Sequence, residues 1–415
     1  MGGYELQVLD KQDFSQQYIL SLPINHPFPA LPQSSVRVRS EILSLTVNNT
    51  TYAKLGSFFG WWDVHPLPNG IPESFSDSQR YGRISAWGFG RVIESNYSPL
   101  PMNSVVFGYL PIASLPVDLS LVQSKDTKQA LEVSRYRARL LPIYNRYLLF
   151  SASEMEGFSR DFLGWSSLMR VLFQTSWMLN KFLFAWDETV LAKPSNGASH
   201  WTMNDANVTN AVVILLCASG KTALSLAHQF RQNRPRTAQP RMILGVTSAE
   251  SKAFTKATGF HDDVVQYNAI SPSLISSLRI DDGTKVVLCD FGARGETFQS
   301  WFNTLKPVCK TLVPLGIGDT PQTESPEDLR TRFAQSASLG KEQVNASDLS
   351  TVAMASIGEE KYRQELEEAW GAFLGSGALP RVSLEWGAGM SAVEKVWDMF
   401  CRDRIESRKG YIFQI

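Results

Sequence analysis

The chain has 415 residues, and its 40 Lys and Arg balance 40 Asp and Glu, so the formal net charge at pH 7 is zero. This balance argues against binding to nucleic acid through a basic surface, which needs a surplus of cations. The length exceeds the usual span of one hydrophobic core and predicts two domains. The longest apolar runs are too short to cross a bilayer, and no secretory signal is predicted, so the expected location is the cytoplasm.

The first part of the chain, up to about residue 125, has short alternating segments separated by Gly and Pro, a pattern typical of β-structure. Strands are predicted over 35–47, 84–94 and 104–110. The apolar spacing over 162–184 predicts a helix. The polar segment 193–207 that follows is expected to be a surface connection.

From residue 211 onward, short apolar segments alternate with helical ones. The predicted strands are 211–217, 242–246, 264–267, 285–291 and 311–317, and the predicted helices are 224–232, 248–258 and 297–305. Strands and helices that alternate at this spacing indicate a parallel sheet built from right-handed crossover units.

The C-terminal part contains predicted helices over 359–374 and 391–404 and predicted strands over 382–386 and 411–415. The last strand is expected to return to the first domain. The predicted division is therefore an N-terminal domain over 1–190, a parallel-sheet domain over 191–350 and a C-terminal return over 351–415.

Metal and disulfide chemistry is not indicated by the cysteines and histidines. The five histidines are scattered, and no CxxC pair or metal-ligand spacing is present. We expect no structural zinc and no disulfide framework, and free buried thiols at all four cysteines, which are Cys217, Cys289, Cys309 and Cys401.

The segment that follows the strand 211–217 is a candidate nucleotide-binding turn. Small residues at such a turn let backbone N–H groups and a helix N-terminus meet a pyrophosphate. Cys217, Gly220 and Ala223 have the GxxGxxG spacing, although only the middle one is Gly. A P-loop is disfavoured because its first Gly would fall at Leu215. A tight turn without any ligand is the alternative.

The end of the second predicted strand indicates which dinucleotide would bind. An acidic residue there favours NAD, whereas small polar or basic residues leave room for the 2′-phosphate of NADPH. Thr247 and Ser248 lie at this end, and Lys252 follows one helical turn later. We therefore expect NADPH. Ser248 is also suited to cap the next helix, with Ser251 in place of the Glu of a capping box.

Polar and aromatic residues are dense in the N-terminal half. Hydroxyl and amide groups beside aromatic walls are typical of a pocket that orients a carbonyl-bearing, largely apolar ligand. A phenol can also donate a proton to a developing enolate or alkoxide. The alternative is that these aromatic residues form only core. The candidates are Asn48, Asn49, Thr51, Tyr52, Trp61, Trp62, Trp87, Tyr144 and Asn145.

Taken in order, these segments resemble the zinc-independent quinone-oxidoreductase and enoyl-reductase branch of the medium-chain dehydrogenase/reductase superfamily. VNNTTYAKLG resembles its NPxDY segment, with Asn48, Thr51 and Tyr52 at the Asn, Asp and Tyr positions. NSVVFGYLP resembles its GDRVFGY segment, and LLCASGKTALSLA its nucleotide-binding turn. The resemblance implies a GroES-like β domain and a Rossmann domain, and dimers or tetramers are common in the superfamily, so a homodimer is an expectation.

A narrower resemblance is to a set of such proteins labelled a domain of unknown function. Its motifs include NNxTY, WGF, GYLPxAS, LPxYNxY and an ASSKTA-type turn, which correspond here to LTVNNTTY, AWGFGRVIES, GYLPIAS, LPIYNRY and CASGKTA. This chain departs from the superfamily in having Thr51 in place of Asp, and Lys221, Thr222 and Ala223 in place of the glycines of the turn.

The function that these features favour is NADPH-dependent reduction of an activated C=C or C=O bond in an apolar, polyketide-like small molecule. Tyr52 is the expected proton donor, supported by Asn48 and Thr51. The expected cofactor contacts are Ser219, Gly220, Lys221, Thr222, Thr247, Ser248, Lys252, Tyr267, Asp290, Phe291, Gly292, Gly316 and Ile317. Two alternatives stay open, namely a non-redox cyclase, isomerase or dehydratase on the same fold and a non-catalytic ligand-binding protein.

Overall fold

The computed structural model describes residues 3–197, 200–319, 326–377, 379 and 381–415, which form two compact units. The first unit combines Met1–Arg170 with Ser383–Ile415, and the second is built from the described residues between Val171 and Val382. None of the helices within these ranges is long and apolar enough to cross a membrane.

The first unit begins with two strands and then alternates strands with short helices. In chain order its elements are β1 (Tyr4–Asp10), β2 (Gln17–Leu22), β3 (Ser35–Leu45), α1 (Val47–Lys54), α2 (Gly56–Phe59), β4 (Tyr81–Gly82), β5 (Ser85–Ser95), β6 (Val105–Pro111), β7 (Val117–Gln123), β8 (Gln129–Glu132), β9 (Arg146–Phe150) and α3 (Ala152–Glu156). The helix α4 (Arg160–Met178) contains the boundary with the second unit.

The second unit alternates strands and helices as the sequence predicts. A π-helical turn (Leu179–Leu183) is followed by α5 (Met203–Ala206), β10 (Val212–Leu216), α6 (Lys221–Gln232), β11 (Met242–Thr247), α7 (Ala249–Ala257), β12 (Asp263–Gln266), α8 (Pro272–Ser277), β13 (Lys285–Phe291), α9 (Thr297–Leu305), β14 (Thr311–Gly318), α10 (Pro326–Ser338), β15 (Glu342–Gln343), α11 (Ala346–Ile357) and α12 (Glu359–Gly375). The chain then returns to the first unit as β16 (Ser383–Ala388), α13 (Gly389–Cys401) and β17 (Lys409–Gln414).

The second unit is organised around a parallel sheet with the strand order β12-β11-β10-β13-β14-β15. All five residues of β10 are buried, because helices cover both faces of such a sheet. The strand β11, which follows β10 in the chain, pairs with one edge of β10. The later strand β13 pairs with the other edge of β10, and β14 pairs with the outer edge of β13. The turn after β10 therefore lies where the strand order reverses, which is the usual ligand-binding edge of this type of sheet.

The first unit contains an eight-stranded sheet of order β16-β17-β3-β5-β6-β9-β8-β7, in which β3 also pairs with β7 and gives the sheet a barrel-like closure. The neighbours are antiparallel except for β16 and β17. The strand β17 lies between β16 and β3, so the predicted return of the C-terminal strand is confirmed. A separate small sheet has the order β2-β1-β4.

The boundaries of the two units differ from those expected at residues 190 and 350. The reason is that α12 packs against the end of α4 within the second unit. Gln174 donates a hydrogen bond to the Tyr362 hydroxyl at 2.9 Å, and the ring of Phe173 lies 5.3 Å from that of Trp370. Among the cysteines, Cys289 and Cys309 are buried as expected, whereas Cys217 and Cys401 are only half-buried.

Gly371 offers a direct test of the packing of α12. It lies within this helix, and a Cβ added there meets no described atom within 4 Å. Gly371→Ala should therefore stabilise the second unit by about 1 kcal/mol, since Ala lowers the backbone entropy cost of the helix. We expect the unfolding midpoint in calorimetry to rise by about 2–4 °C. A lower midpoint would show that a neighbour needs the space at this position.

Candidate functional site

Tyr52 lies on α1, which the sequence anchors firmly to the strand β5. The Thr46 N–H donates to Asn49 Oδ1 at 2.8 Å in a capping box, and Asn49 Nδ2 donates to the carbonyl of Ser85 at 3.0 Å. Both ends of the Asn49 amide are thus engaged in holding the helix. Asn49, expected from the sequence to bind substrate, is instead a structural residue in this arrangement.

The Tyr52 side chain is at the centre of an aromatic cluster formed by Tyr52, Trp61, Trp87, Tyr109 and Tyr144. Its ring lies 4.9 Å from Trp61, 5.1 Å from Tyr109 and 5.7 Å from Tyr144. The indole Nε1–H of Trp87 donates a buried hydrogen bond to Tyr52 Oη at 3.1 Å. Only 4% of Tyr52 is exposed, so its hydroxyl is oriented by protein groups in a low-dielectric surrounding.

The electrostatics of the cluster favour a neutral Tyr52 phenol. Burial raises the pKa of Tyr52, and hydrogen bonds with Trp87, Tyr144 and Asn48 partly offset this rise. Burial also raises the pKa of Tyr109 and of Tyr144 well above the ordinary value. At neutral pH Tyr52 therefore keeps its proton, while any phenolate that formed there would be stabilised by three neighbouring donors.

The aromatic cluster unites several of the residues expected from the sequence and leaves others out. Trp62 packs elsewhere, against Gly56 and Gly82, where added Cβ atoms would collide with its ring. Thr51 is half-buried on α1. Asn145 is half-buried, and its Oδ1 is buried without a hydrogen-bond partner in the described part of the chain.

Tyr109 belongs to the cluster, although it was not among the expected residues. It lies on β6 directly opposite Trp87 on β5, and the two rings are 5.4 Å apart. The alternation of the segments around 84–94 and 104–110 predicts two strands but not their register. Pairing these two strands would have identified Tyr109, because residues opposite each other share one face of a sheet.

In the second unit, the turn after β10 is tight and leads directly into α6. Cys217 has a φ of 62°, the left-handed region that usually needs Gly. The Gly220 N–H donates to the Cys217 carbonyl at 2.9 Å, and α6 begins immediately afterwards at Lys221. The helix begins one turn earlier than predicted, and no side chain caps its N-terminus, so its first amides face outward as donors.

Lys221 and Ser219 flank these amides. The packing around Lys221 lowers the pKa of its ammonium to about 8, because burial disfavours the charged form. Ser219 is 5% exposed. The carbonyl of Thr222 accepts a hydrogen bond from Ser176 at 2.7 Å, which fixes the first turn of the helix to α4.

The end of β11 lies beside this turn, since Ala218 N–H donates to the Val246 carbonyl at 2.9 Å. Ser248 caps α7 by accepting a hydrogen bond from Ser251 N–H at 3.3 Å, as the sequence predicts. The hydroxyl of Thr247 is buried and makes no hydrogen bond to any described residue. Lys252 is half-buried in the first turn of α7.

Arg294 is a second cation at the start of α7 that the sequence did not indicate. The pKa of Glu250 is lowered by hydrogen bonds from its own backbone and the Ser248 side chain, and by the charge of Arg294. The exposed Arg294 guanidinium is thus close enough to the Glu250 carboxylate to act on it. Arg294 follows β13, far from Glu250 in the sequence, and the pairing of β13 and β11 with opposite edges of β10 brings the two segments to the same edge of the sheet.

The tips of β13 and β14 are occupied largely by protein groups. Asp290 accepts hydrogen bonds from Gly292 N–H at 3.0 Å, from Ala293 N–H at 2.8 Å and from Lys341 Nζ at 2.6 Å. A Cβ added at Gly316 would collide with Gln343 Oε1 and lie 2.9 Å from Lys341 Cε. Asp290 and Gly316, expected to contact a cofactor, therefore already have structural partners.

The remaining expected residues lie around the same edge of the sheet. Gly292 has a φ of 99°, and Phe291 and Ile317 are half-buried. Tyr267 interacts through its hydroxyl with the thiol of Cys217, and burial followed by this contact raises the pKa of Tyr267. Its carbonyl accepts a hydrogen bond from Trp301 Nε1 at 2.9 Å. Within the described ranges, no group of three or more His, Cys, Asp or Glu side chains is arranged to hold a metal ion.

Solved structures with the same fold cover almost the whole chain. CurF ER cyclopropanase from the curacin A biosynthetic pathway matches with a TM-score of 0.55 at 13% identity, over 99% of both chains. CurK enoyl reductase matches with a TM-score of 0.53 at 11% identity, over 99% of both chains. CurA from Vibrio vulnificus in complex with NADPH matches with a TM-score of 0.52 at 10% identity, over 99% of this chain and 98% of that one.

At these identities the similarity establishes the fold, which combines a GroES-like β unit with a Rossmann unit as expected. No curated protein matches this chain. A family model described as "Protein of unknown function (DUF2855)" matches residues 43–406. This range contains both the aromatic cluster and the turn after β10. The chain therefore belongs to the DUF2855 family.

Proposed function

We propose that this protein is an NADPH-dependent reductase of an activated C=C or C=O bond in an apolar small molecule. The observation that carries the proposal is the buried Tyr52 phenol, which is neutral, oriented by Trp87 and surrounded by aromatic rings. Two structures of similar fold support it by their names, which describe an enoyl reductase and a protein in complex with NADPH.

The second unit has a donor set that fits the phosphates of NADPH. The uncapped amides at the start of α6, together with Ser219 and Lys221, would hold the pyrophosphate. Thr247, Ser248, Lys252 and Arg294 would surround the 2′-phosphate, since β11 ends on Thr247 rather than on an acidic residue and the nearby Glu250 lies within α7. In this proposal, Lys221 stands where the usual turn has a glycine, and its ammonium contacts a phosphate directly.

Fewer residues would serve the nicotinamide end than the sequence indicates. Asp290 and Gly316 are excluded from the proposal by their structural partners. Phe291, Gly292, Ile317 and Tyr267 keep this role. When bound, NADPH supplies the hydride of the reaction.

Tyr52 would supply the proton that completes the reduction. Its O–H donates to the carbon or oxygen that becomes negative, and the negative charge passes to Tyr52 Oη. Trp87 N–H already donates to this oxygen, so the charge develops beside an oriented donor and needs little reorganisation. The rings of Trp61 and Tyr144 exclude water from the phenol and provide an apolar wall for the substrate.

The experiment that tests the proposal is a calorimetric titration of the protein with NADPH, NADH and ATP. We expect NADPH to bind with micromolar affinity and more tightly than NADH. Gly220→Val should abolish binding and Arg294→Ala should reduce the preference for NADPH. If none of the three nucleotides binds, hydride transfer is excluded, and the non-redox cyclase or isomerase becomes the leading function for the same aromatic cluster.

Lys221 gives the NADPH site a characteristic pH dependence. Because its pKa is lowered to about 8, the ammonium loses its charge as the pH rises above that value. NADPH affinity should be constant near pH 7 and weaken by up to about tenfold per pH unit between about pH 8 and 9.5. Titrations at each pH would measure this slope.

Two variants identify the source of that slope. Lys221→Met should bind NADPH more weakly at pH 7 and show no slope. Lys285 also has a pKa lowered to about 8 by burial, but it donates to the carbonyls of Asn204, Asp205 and Asn207 at the other end of β13. Lys285→Met should keep the slope. Tighter binding by Lys221→Met would mean that this lysine obstructs the pyrophosphate.

A further inference from the structure

Arg83 is a buried cation whose charge no acidic side chain in the described structure balances. It lies between β4 and β5 and is 3% exposed. Its Nη1 makes one long hydrogen bond, 3.4 Å, to the carbonyl of Pro66. Its Nε and Nη2 are buried and have no hydrogen-bond partner among the residues that the structure describes. An unpaired ion in such a place is strongly destabilising.

The groups near Arg83 do not supply the missing negative charge. His65, 3% exposed, lies next to Pro66, and its Nε2 is also buried without a partner in the described ranges. Burial, and the charges of Arg137 and Arg83, lower the pKa of His65 well below its ordinary value, so its imidazole is neutral at pH 7. The pKa of Arg83 itself is lowered by burial to about 10, which leaves it charged.

Arg137 shows how the same environment pairs a buried guanidinium. Its Nε lies 3.3 Å from Glu132 Oε2, with both side chains fully buried, and its Nη1 donates to the Tyr147 hydroxyl at 3.0 Å. Glu132 therefore balances Arg137 and leaves one positive charge, that of Arg83. Nε and Nη2 of Arg137 are, like those of Arg83, without a hydrogen-bond partner among the described residues, so the difference between the two is the carboxylate of Glu132, which balances the charge of Arg137 only.

We infer that Arg83 and His65 form a binding site for a small carboxylate supplied from solution. Nε and Nη2 of one guanidinium are parallel donors with the spacing of the two oxygens of a carboxylate, which they bind as a fork. His65 Nε2 would add a third donor in the tautomer that carries the proton on this nitrogen. A single negative charge matches the single unbalanced cation, which favours a carboxylate over a phosphate dianion. The site requires neither NADPH nor the reductase activity proposed above.

Thermal unfolding of the full chain in sodium formate, with sodium chloride at equal ionic strength as reference, tests this inference. Formate is the smallest carboxylate and should raise the wild-type midpoint saturably, by about 4 °C or more when well above its dissociation constant. Arg83→Met should lose this response and should unfold at or above the wild-type midpoint when formate is absent. An equal response of Arg83→Met and wild type would overturn the site.

Arg37→Met is the matched control. Arg37 is also buried, but it is paired with Asp118 at 2.7 Å and with Glu94 at 2.5 Å. Arg37→Met should unfold at a lower midpoint in either salt and should keep the formate response. If Arg83→Met does not fold, broadening of the ¹³C-formate NMR signal by wild-type protein gives the answer. Saturable broadening that acetate reverses supports the site, and its absence overturns it.

Discussion

Tyr52→Phe should reduce the turnover of NADPH-dependent reduction by about 100- to 1000-fold, the usual contribution of a positioned general acid. The dissociation constant for NADPH should be unchanged, because Tyr52 is part of the first unit and the proposed phosphate contacts belong to the second. The ring and its contacts with Trp61 and Tyr109 remain in the variant. Only the hydroxyl, which Trp87 orients, is lost.

Steady-state kinetics and NADPH titration of the same preparations measure both quantities. Tyr97→Phe is the matched control, since Tyr97 is also buried in the first unit and uses its hydroxyl for a hydrogen bond to Gln123 at 3.2 Å. Tyr97→Phe should keep full turnover. An equal loss of turnover and NADPH affinity in Tyr52→Phe would contradict the role of proton donor and indicate a structural one.

Gly88→Ala should strongly destabilise the first unit. Gly88 lies on β5 opposite Leu43 on β3. A Cβ there would collide with the carbonyl oxygen of Ile42 and lie 2.9 Å from the Leu43 Cα. Both neighbours are backbone atoms of a central strand, so no side-chain rotation relieves the clash. We expect a loss of about 3 kcal/mol or more, at the upper end of overpacking effects.

Soluble yield, circular dichroism and thermal unfolding of the variant measure this effect. Gly157→Ala is the matched control, because the nearest atom to its added Cβ is the Glu154 carbonyl oxygen at the ordinary distance of 3.4 Å. Gly157→Ala should fold with a nearly unchanged midpoint. A soluble Gly88→Ala protein with the wild-type midpoint would show that β3 and β5 are less closely apposed than described.

The parallel-sheet unit could be predicted almost element by element, because its order is local in the sequence. The strand 285–291 and the helix 297–305 have the predicted bounds. Each strand is a short apolar run that ends in a turn, and each helix has its own apolar stripe. The antiparallel unit was predicted less completely. β1 pairs with its chain neighbour β2, and β7 with its chain neighbour β8, yet these four strands were not predicted; β7 also pairs with the distant β3.

The candidate site was harder to predict than the fold because neighbouring residues of similar chemistry have different roles. Trp61 packs on Tyr52, whereas Trp62 packs on two glycines. Asn48 hydrogen-bonds Tyr52, whereas Asn49 caps the helix and holds β5. The residue types indicate a pocket, but the backbone direction decides which side chain enters it. The pairing of Asp290 with Lys341 spans 51 positions and has no local signature.

The position of β17 has a consequence for how the chain is made. The strand β3 contains residues 35–45, yet its neighbour β17 contains residues 409–414. During synthesis on the ribosome, one edge of β3 stays unpaired until residues 409–414 have been made, and an unpaired strand edge can pair wrongly. The strands of the Rossmann unit that the structure describes are complete by residue 343. The Rossmann unit can therefore fold during translation. The sheet of the first unit, the unit that contains Tyr52, closes only after residue 414 has left the ribosome.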